Sequence, residues 1–549
     1  MSAQYNNWLI GAALFLLLST IFHLASPNIV DSDSFYYFGQ ATALREHGIF
    51  NTNFPWLPYS KIGELSSSLW YGFSLLMIPF SYLGFMGVKI AGIFLTASAL
   101  TAIWVILKKI GAKMPNLWPV FLFFISPNVL TQFLMIRPQT VSLIAIPMLF
   151  YFLICSQKST AFGPWMNSGY NSRRSRHLSD RISPDAPAFR PRRDSLSGGI
   201  LGILIASFII TWTHLNFLWM PILIMGIIAI IKMWREKIIP WQEITAVFGG
   251  VLAGWLLRPQ ALNAIKLFYI QVVQQILEKQ GGLPLLFGEE NFPLSITVLF
   301  KNFLPFLILW LASIYLFYKY RGHIKNLTNN IAIAIYSSGA LSLIFFLFSI
   351  LVARRAYNLW AEFGIIFIAL IFSHLINKPT TQEAFKFAVI IALIFSIFYS
   401  GIKANNVMRK NGYPPHHLQE AALWLKNNTQ AGDIVFNLHW PDFSPLFFWN
   451  QTNYYTGGLD PIFQYSYNPS LYWKFHYLAT DQVTSKTCGA EACTEEMLED
   501  TYEVLRRDFQ ARYIVLIKAE NPAVYYFLKN DPRFEEKLDT KKEVVYLIK

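Results

Sequence analysis

The residues of this chain best suited to chemistry are a pair of aspartates near its N-terminal end. Asp31 and Asp33 form an Asp-Ser-Asp motif directly after an apolar run. Carboxylates at this spacing can act as a general base or can bind a divalent cation such as Mg²⁺ or Mn²⁺. Asp-Ser-Asp is also a common turn or helix-cap sequence, which is the structural interpretation of the same residues.

Arginines at the ends of apolar runs form a second set of candidates. A guanidinium is a planar, permanently charged fork that suits a phosphate or a diphosphate. Carboxylates facing such cations describe a transferase site, in which a base activates the acceptor and arginines stabilise the departing phosphate. Arginines at helix ends can also reach lipid headgroups without any further role. His214 and Asn216 are further candidates and lie at a turn between two apolar runs. The candidate phosphate-binding residues are Arg137, Arg258, Arg354 and Arg355.

The composition of the chain indicates that membrane helices must position these residues. Of its 549 residues 54% are hydrophobic and 14% are charged, whereas soluble domains are about 25% charged. Apolar runs that approach the roughly 20 residues needed to cross a bilayer recur up to about residue 400. In hydrocarbon each backbone amide needs a partner within its own segment, so these runs predict helices. We expect an α-helical polytopic membrane protein with about 11 transmembrane helices over residues 1–403.

Basic residues predict how the chain crosses the membrane. Residues 157–197 are rich in Arg, Ser and Pro and predict a disordered basic loop on the cytoplasmic side. We expect the chain to lie in the cytoplasmic (inner) membrane. Counting spans from this loop places the N-terminus on the cytoplasmic side and the C-terminal domain on the outer side. Topology and anionic lipid at the inner leaflet explain much of the net charge of +13. We therefore expect membrane lipids as partners and no nucleic acid.

The segment at residues 27–85 follows the first span and predicts a long outer loop with interfacial helices. Asp33–His47 is predicted as a short helix that Gly48 ends. Ser67–Leu83 is apolar enough to be a span, but a span there would move the lysines after the next span to the outside, against the charge rule. We therefore expect a helix on the membrane surface at Ser67–Leu83.

Residues 404–549 have a mixed polar and apolar composition, which predicts an extracytoplasmic α/β domain. The dense aromatic residues over 436–477 suit a core in contact with the membrane surface, or stacking on a carbohydrate acceptor. Strands are expected at Asp433–Leu438, Tyr513–Lys518 and Glu543–Ile548. Helices are expected at His416–Asn427, Glu495–Phe509 and Pro522–Lys529.

Two cysteines of the C-terminal domain, Cys488 and Cys493, lie at C-x4-C spacing. In an oxidising compartment this spacing predicts a local disulfide. Zinc binding is the alternative, although no second pair of Cys or His residues follows at ligand spacing.

Several motifs together resemble the GT-C superfamily of membrane glycosyltransferases, which use sugars carried on polyprenyl phosphate or diphosphate. The stretch DSDSFYYFGQATALREHGIF is similar to the acidic first-loop motif of that superfamily. A closer resemblance is to a set of bacterial membrane proteins of this type. A more distant one is to oligosaccharyltransferase catalytic subunits, protein O-mannosyltransferases and the lipid A aminoarabinose transferase. The motifs that carry the closer resemblance are Arg137-Pro138-Gln139, His214-Leu215-Asn216 and Ala353-Arg354-Arg355.

The resemblance implies roles for particular residues. It implies that Asp31 or Asp33 is the base or a ligand of a divalent cation. Lys61 and Glu64 are similar in place to the charged tip of the first loop in the lipid A enzyme. The oligosaccharyltransferase signature W-W-D-x-G is absent from the stretch HWPDFSP, which disfavours asparagine glycosylation. The resemblance also implies that the residues binding the lipid phosphate are Arg137, Arg258, Arg354 and Arg355.

We expect an inverting glycosyltransferase that moves a hexosyl or pentosyl group from a polyprenyl-phosphate sugar donor to a glycan, lipid or protein hydroxyl outside the cytoplasm. One alternative is a non-catalytic scaffold that binds a glycan, because fold does not establish activity. The other is a transporter of an anionic lipid or sugar. A transporter would have repeated halves and charged residues near the bilayer midplane, and we expect neither here.

Overall fold

The computed structural model describes residues 2–156, 195–376, 378–482, 486–490 and 493–549. Most of the predicted basic cytoplasmic loop, residues 157–194, lies outside these ranges. Long helices fill the described chain as far as Asn411, and a small sheet with short helices follows. The predicted fold class, a helical polytopic membrane protein with a C-terminal α/β domain, is confirmed.

Several helices of the membrane part are followed directly by 3-10 or π turns. The helices of this part are α1 Ser2–Leu24, α2 Asp33–His47, α3 Lys61–Leu65, α4 Tyr71–Ser81, α5 Gly84–Lys109, α6 Leu117–Phe124, α7 Pro127–Leu134, α8 Pro138–Cys155, α9 Ser195–Thr213, α10 Trp219–Glu236, α11 Trp241–Leu256, α12 Ala261–Phe268, α13 Gln275–Gln280, α14 Ile296–Tyr320, α15 Asn329–Leu351, α16 Tyr357–His374 and α17 Pro379–Asn411.

Seven helices of the described residues are long and apolar enough to cross a membrane, namely α5, α8, α10, α14, α15, α16 and α17. The pair α6 and α7 can form an eighth span, with a bend of 98° between them. The Ser126 hydroxyl accepts a hydrogen bond from the Val129 amide, and Pro127 occupies the first turn of α7. These are local signals for a new helix start. The predicted total of about 11 spans stays a prediction.

The first loop contains the short helices that its sequence indicates. α2 has the predicted bounds, and Gly48 ends it with a φ of 99°, which favours glycine. α4 is shorter than the predicted Ser67–Leu83 and contains 11 residues. A helix of that length rises about 16 Å, roughly half the hydrocarbon thickness of a bilayer, so α4 is too short to be a span.

The C-terminal domain is built on a five-stranded mixed sheet with the order β2-β1-β5-β7-β6. β1 is parallel to β2 and β5, while β7 is antiparallel to β5 and β6. The three predicted strands are confirmed as β1, β5 and β7, the centre of the sheet. The strands are β1 Ile434–Asn437, β2 Tyr454–Tyr455, β3 Lys486–Cys488, β4 Leu498–Asp500, β5 Tyr513–Ile517, β6 Phe534–Asp539 and β7 Glu543–Ile548. The helices are α18 Gln419–Asn428, α19 Phe443–Trp449, α20 Pro461–Tyr467, α21 Pro469–Ala479, α22 Thr501–Glu503 and α23 Pro522–Asn530.

The predicted helix Glu495–Phe509 is wrong in its first part and right from Thr501 onward. Its first part forms a 3-10 turn and then β4, which pairs antiparallel with β3. The second part is α22 followed by a π turn over Val504–Asp508. The backbone of Leu498–Asp500 therefore bonds to a partner strand ten or more residues away in sequence, which a local helical pattern cannot reveal. The helices predicted at His416–Asn427 and Pro522–Lys529 are confirmed, with shifted ends, as α18 and α23.

The first loop and the C-terminal domain share one hydrophobic core. α2 packs against α19, with Tyr36 in ring contact with Phe443 and Phe447. The indole nitrogen of Trp56 donates to the Gln451 carbonyl at 2.7 Å. This packing fixes the N-terminal end of α2, and with it the aspartate motif, against the C-terminal domain.

Candidate functional site

Three carboxylates and two arginines meet where the membrane helices approach the C-terminal domain. Arg137 binds all three carboxylates: Nε pairs with Asp31, Nη2 lies 3.1 Å from Asp33 Oδ2, and Nη1 lies 3.0 and 3.1 Å from the two oxygens of Glu290. Arg355 forms a second ion pair with Glu290. The sequence predicts four of these residues as candidates, and the fold brings them together from distant segments.

Local sequence explains how the first three side chains are held. Arg137 is extended, with φ −130° and ψ 158°, because the following Pro138 disfavours the helical conformation and begins α8. Asp33 is the first residue of α2, where the helix dipole favours a negative charge. The Ser34 hydroxyl donates to Asp31 Oδ1 at 2.7 Å, which leaves Asp31 Oδ2 for the guanidinium.

Glu290, which the sequence analysis did not single out, lies in a 3-10 turn at Glu289–Asn291. A second 3-10 turn, Arg354–Ala356, lies beside it, and the Arg354 amide donates to the Phe292 carbonyl at 2.7 Å. This backbone link holds the two turns together. The only sequence signal for Glu290 is an acidic pair in a loop beside an apolar run.

The charges of the cluster shift the acidities of its members. Burial raises the pKa of Asp33 to about 6, because the nearby Asp31 and Glu290 carboxylates add to the effect and Arg137 opposes it only in part. Burial also raises the pKa of Glu290, but Arg355 and Arg137 outweigh it and lower that pKa to about 2. The arrangement therefore keeps Glu290 ionised and makes Asp33 the group able to exchange a proton near neutral pH.

These side chains line a cleft. Buried polar groups in proteins are nearly always hydrogen-bonded. In the described part of the chain, four buried polar atoms of cleft residues nevertheless have no hydrogen-bond partner, and such atoms mark places where a ligand can bind. They are His214 Nδ1, Asn216 Oδ1, Arg355 Nε and Asp460 Oδ1.

The C-terminal domain closes one side of the cleft with Trp440, Leu459 and Asp460. Asp460 precedes Pro461, which begins α20, and its Oδ2 accepts a hydrogen bond of 3.2 Å from Gln275. Burial raises the pKa of Asp460. The sequence analysis did not include Asp460 among the site residues.

An apolar groove adjoins the cleft. Asn216, Gln271, Asn291 and Arg355 line both spaces, so the two are continuous at these residues. The groove is otherwise mainly apolar and lies between the ends of α10 and α15 and the segment 268–279. Its apolar lining includes Phe217, Trp219, Phe268, Val272, Ile276 and Phe348.

Two of the four predicted phosphate-binding arginines do not line the cleft. Arg258 is buried and donates to backbone carbonyls of α9, α11 and the first loop, at distances of 2.6 to 3.4 Å. It therefore serves as a structural link between these segments. Arg354 pairs with Glu289, whose side chain is 90% exposed. Arg137 and Arg355 are the arginines that line the cleft.

Of the other predicted site residues, two line the cleft and two do not. His214 and Asn216 line the cleft, and Asn216 Nδ2 donates to Gln271 at 2.7 Å. Lys61 and Glu64 pair with each other at 2.7 Å on α3 and do not line the cleft.

Cys488 and Cys493 are present as free thiols that hydrogen-bond to each other, with Cys488 buried and Cys493 exposed. The disulfide between them stays a prediction.

The carboxylate cluster does not fit a divalent cation. No group of three or more His, Cys, Asp or Glu side chains suited to a metal occurs among the described residues. The Asp31, Asp33 and Glu290 oxygens turn instead to the guanidinium of Arg137, which lies at the point where a shared cation would sit.

The expectation that the membrane helices contain no charged residue near their middle is wrong. Glu362 lies inside α16, one of the candidate spans, and is 1% exposed. Both of its carboxylate oxygens are buried without a hydrogen-bond partner in the described chain. Glu362 is a single acid within an otherwise apolar run, so the composition of the run still indicates an ordinary span.

Comparison with solved structures identifies the fold. The chain aligns with the Archaeoglobus fulgidus oligosaccharyltransferase at a TM-score of 0.58 and 12% identity, over 95% of this chain and 71% of the other. It aligns with the mycobacterial arabinofuranosyltransferase AftD at a TM-score of 0.56 and 13% identity, over 99% of this chain, but spans only 40% of that protein. ArnT from Cupriavidus metallidurans bound to undecaprenyl phosphate aligns over 98% of both chains, at a TM-score of 0.53 and 9% identity.

Sequence comparisons add nothing to this result. No family model matches the chain, and no curated protein does. The structural alignments cover nearly the whole chain, including the C-terminal domain, and they agree with the motif resemblance. In its fold, the chain is a GT-C-like membrane protein.

Proposed function

We propose that the protein is a membrane glycosyltransferase that moves a sugar from a polyprenyl-phosphate donor to an acceptor hydroxyl outside the cytoplasm. The observation that carries the proposal is the continuity of a polar cleft with an apolar groove at Arg355. A polyprenyl-linked sugar has its parts in the same order: an apolar chain, a phosphate and a sugar.

Arg355 is the residue that we assign to the donor phosphate. It lines both the cleft and the groove, and its buried Nε has no partner among the described residues. A guanidinium with a free Nε–H can donate to a phosphate oxygen while its Nη2 binds Glu290. The fold shared with ArnT bound to undecaprenyl phosphate supports a lipid of this kind.

The unpartnered polar atoms on the far side of the cleft suit the sugar. Asp460 Oδ1 and Asn216 Oδ1 can accept hydrogen bonds from sugar hydroxyls, and His214 Nδ1 can bind a third. Trp440 also lines the cleft and offers an aromatic face. These residues come from the membrane helices and from the C-terminal domain, so the sugar would lie between the two.

Asp33 is the residue that we assign as the base. Its side chain is 27% exposed, compared with 6% for Asp31, and so it is the more accessible of the pair. Asp33 would take the proton of the acceptor hydroxyl as that oxygen attacks the anomeric carbon. The bond between the anomeric carbon and the phosphate oxygen breaks, and the phosphate leaves with the electron pair beside Arg355. The configuration at the anomeric carbon is inverted.

The proposal places the cleft on the outer face of the cell membrane, as the distribution of basic residues predicts. Cys493 is exposed in the C-terminal domain, so its labelling can show on which side of the membrane this domain lies. A membrane-impermeant thiol reagent should label it in intact cells after mild reduction. Labelling only in broken cells would put the domain in the cytoplasm.

The function is tested by sugar transfer with the Asp33→Asn variant. We expect turnover to fall about 100-fold or more, since a positioned base typically contributes 10²–10⁴, while donor binding stays near that of the unchanged protein. The matched control is Glu64→Gln, which removes a carboxylate outside the cleft and should leave turnover intact. The measurement is transfer from radiolabelled polyprenyl-phosphate sugars to total envelope acceptors.

Full turnover in Asp33→Asn would remove Asp33 from the reaction. Donor binding without transfer by the unchanged protein, for every donor tested, would favour the glycan-binding scaffold. Movement of the intact lipid-linked sugar across vesicles would favour the transporter.

A further inference from the structure

We propose that Arg137 takes the place of a divalent cation in this site, so that the transfer reaction needs no metal. The proposal deepens the proposed function. Its claim that the reaction needs no metal rests on that function. Its structural part, the absence of a cation from the carboxylate cluster, can be tested without any activity.

The first observation is the geometry of the ion pairs. Each of the three nitrogens of Arg137 binds a different carboxylate: Nε binds Asp31, Nη2 binds Asp33, and Nη1 binds Glu290. The carboxylates come from two separate parts of the chain and converge on one positive group. In metalloenzymes this convergence is the arrangement that carboxylates adopt around a cation.

The second observation is how firmly the guanidinium is fixed. Arg137 directly precedes Pro138, the first residue of α8, and its side chain is only 16% exposed. Rotation of the side chain away from the cluster would leave three carboxylates with only Arg355 to balance them. A buried cluster of like charges is strongly disfavoured, so the charge balance itself holds Arg137 in place.

The third observation is competition for oxygen atoms. A Mg²⁺ ion binds oxygens at about 2.0–2.1 Å in near-octahedral geometry. Asp31 Oδ1 accepts from Ser34, Asp31 Oδ2 and Asp33 Oδ2 pair with Arg137, and both Glu290 oxygens bind Arg137. A cation would have to displace these bonds and lie in contact with a guanidinium of the same sign.

The role that follows for Arg137 is positioning. It neutralises Asp31 and Glu290 and directs Asp33 toward the cleft, while Arg355 remains available for the phosphate. Unlike a metal, this cation cannot be removed by a chelator. Glycosyl transfer should therefore continue in EDTA, with less than a twofold change in rate.

Binding of Mn²⁺ to the purified full-length protein tests the proposal directly. Electron paramagnetic resonance of Mn²⁺ should show no tight site that depends on Asp31 in the unchanged protein. Arg137→Ala removes the competing cation and leaves the carboxylates. We expect this variant to bind one Mn²⁺ at least about tenfold more tightly, because a positive charge in contact with the site is lost. Arg354→Ala, which removes a neighbouring cation outside the cleft, should gain no binding.

Each result decides the question. A Mn²⁺ site in the unchanged protein that Asp31→Asn abolishes would overturn the proposal, whether or not Arg137→Ala folds. A folded Arg137→Ala variant without any gain in Mn²⁺ binding would also overturn it. Loss of transfer in EDTA with recovery in Mn²⁺ would refute the claim for the reaction. If no transfer is ever detected, the proposed function fails, and the Mn²⁺ measurements still test the replacement of the cation.

Discussion

The two aspartates of the first loop differ in their surroundings although they are two positions apart. Asp31 is nearly buried and has both oxygens engaged, by Ser34 and by Arg137. Asp33 is more exposed, lines the cleft and has a pKa of about 6. One motif therefore supplies a structural anion and a group that can exchange protons. The Asp-Ser-Asp spacing alone does not indicate which residue has which role.

The raised pKa of Asp33 predicts the pH dependence of transfer. Asp33 must be ionised to accept a proton, so turnover should fall about tenfold per pH unit as the pH drops below about 6. The measurement is the pH profile of kcat, with donor binding followed at the same pH values as a control. A flat profile down to pH 4.5 would contradict the assignment of Asp33 as the base.

At the residue level the sequence predicts chemistry better than contacts. Asp31, Asp33, Arg137 and Arg355 stand out because charged residues beside apolar runs are costly and rarely accidental. Their convergence could not be predicted, since Arg137 is 106 positions from Asp31. Glu290 could not be identified because nothing in its own loop distinguishes it from an ordinary exposed acid.

The helices position these residues at or next to their first turns. Asp33 lies at the start of α2, Arg137 precedes α8, and Arg355 precedes α16. Nearly all residues of α16 are buried. A central, fully packed helix gives its first turn a fixed position. The site thus lies at helix ends that converge from different parts of the fold.

Arg258 shows how such helix ends are held together. Its guanidinium donates to the carbonyls of Thr211, Trp212 and Gly254 and to two carbonyls of the first loop. We expect Arg258→Ala to lower the free energy of unfolding by about 3 kcal/mol or more, because hydrogen bonds to charged groups contribute about 1.5–3 kcal/mol each. Thermal melting in detergent checks this result.

The matched control for that measurement is Arg354→Ala. Arg354 pairs with a largely exposed carboxylate, and exposed ion pairs contribute at most about 1 kcal/mol. An equal melting temperature for Arg258→Ala and the unchanged protein would show that Arg258 is not a structural link.

Elements defined by local pattern were predictable, and elements defined by pairing were not. α2 was predicted with its bounds, and β7 likewise, because a helix stop and an alternating apolar strand are written in consecutive residues. The segment at 495–509 has a helical pattern and is helical from Thr501, but pairing of β4 with β3 determines the structure of Leu498–Asp500. The helices α19, α20 and α21 were missed because their aromatic residues suit a core in any secondary structure.

At the scale of the whole molecule, the C-terminal domain and the membrane part form one site. The first loop packs into the core of the C-terminal domain, and the cleft takes residues from both. The sequence predicts the division near residue 403 from a change in composition, and that boundary stays a prediction. Composition could not reveal the docking of the two parts, because the packing joins residues about 400 positions apart, such as Trp56 and Gln451.

The arrangement of cleft and groove is what separates a lipid-linked sugar transferase from a protein that has only the fold. Fold similarity at 9–13% identity leaves the ligand open. Arg355 lines both spaces, and the assignment of the donor phosphate rests on this residue. Arg354 is its neighbour in sequence and lies outside both, so the pair provides an internal control.

Native mass spectrometry of the purified protein with undecaprenyl phosphate tests this central claim most directly. We expect one lipid bound to the unchanged protein and to Arg354→Ala. For Arg355→Ala we expect binding about tenfold or more weaker, because a charge-assisted hydrogen bond to a phosphate is lost. Equal binding by all three proteins would contradict the assignment of the cleft as the donor-phosphate site, and no binding by any of them would contradict the proposed donor.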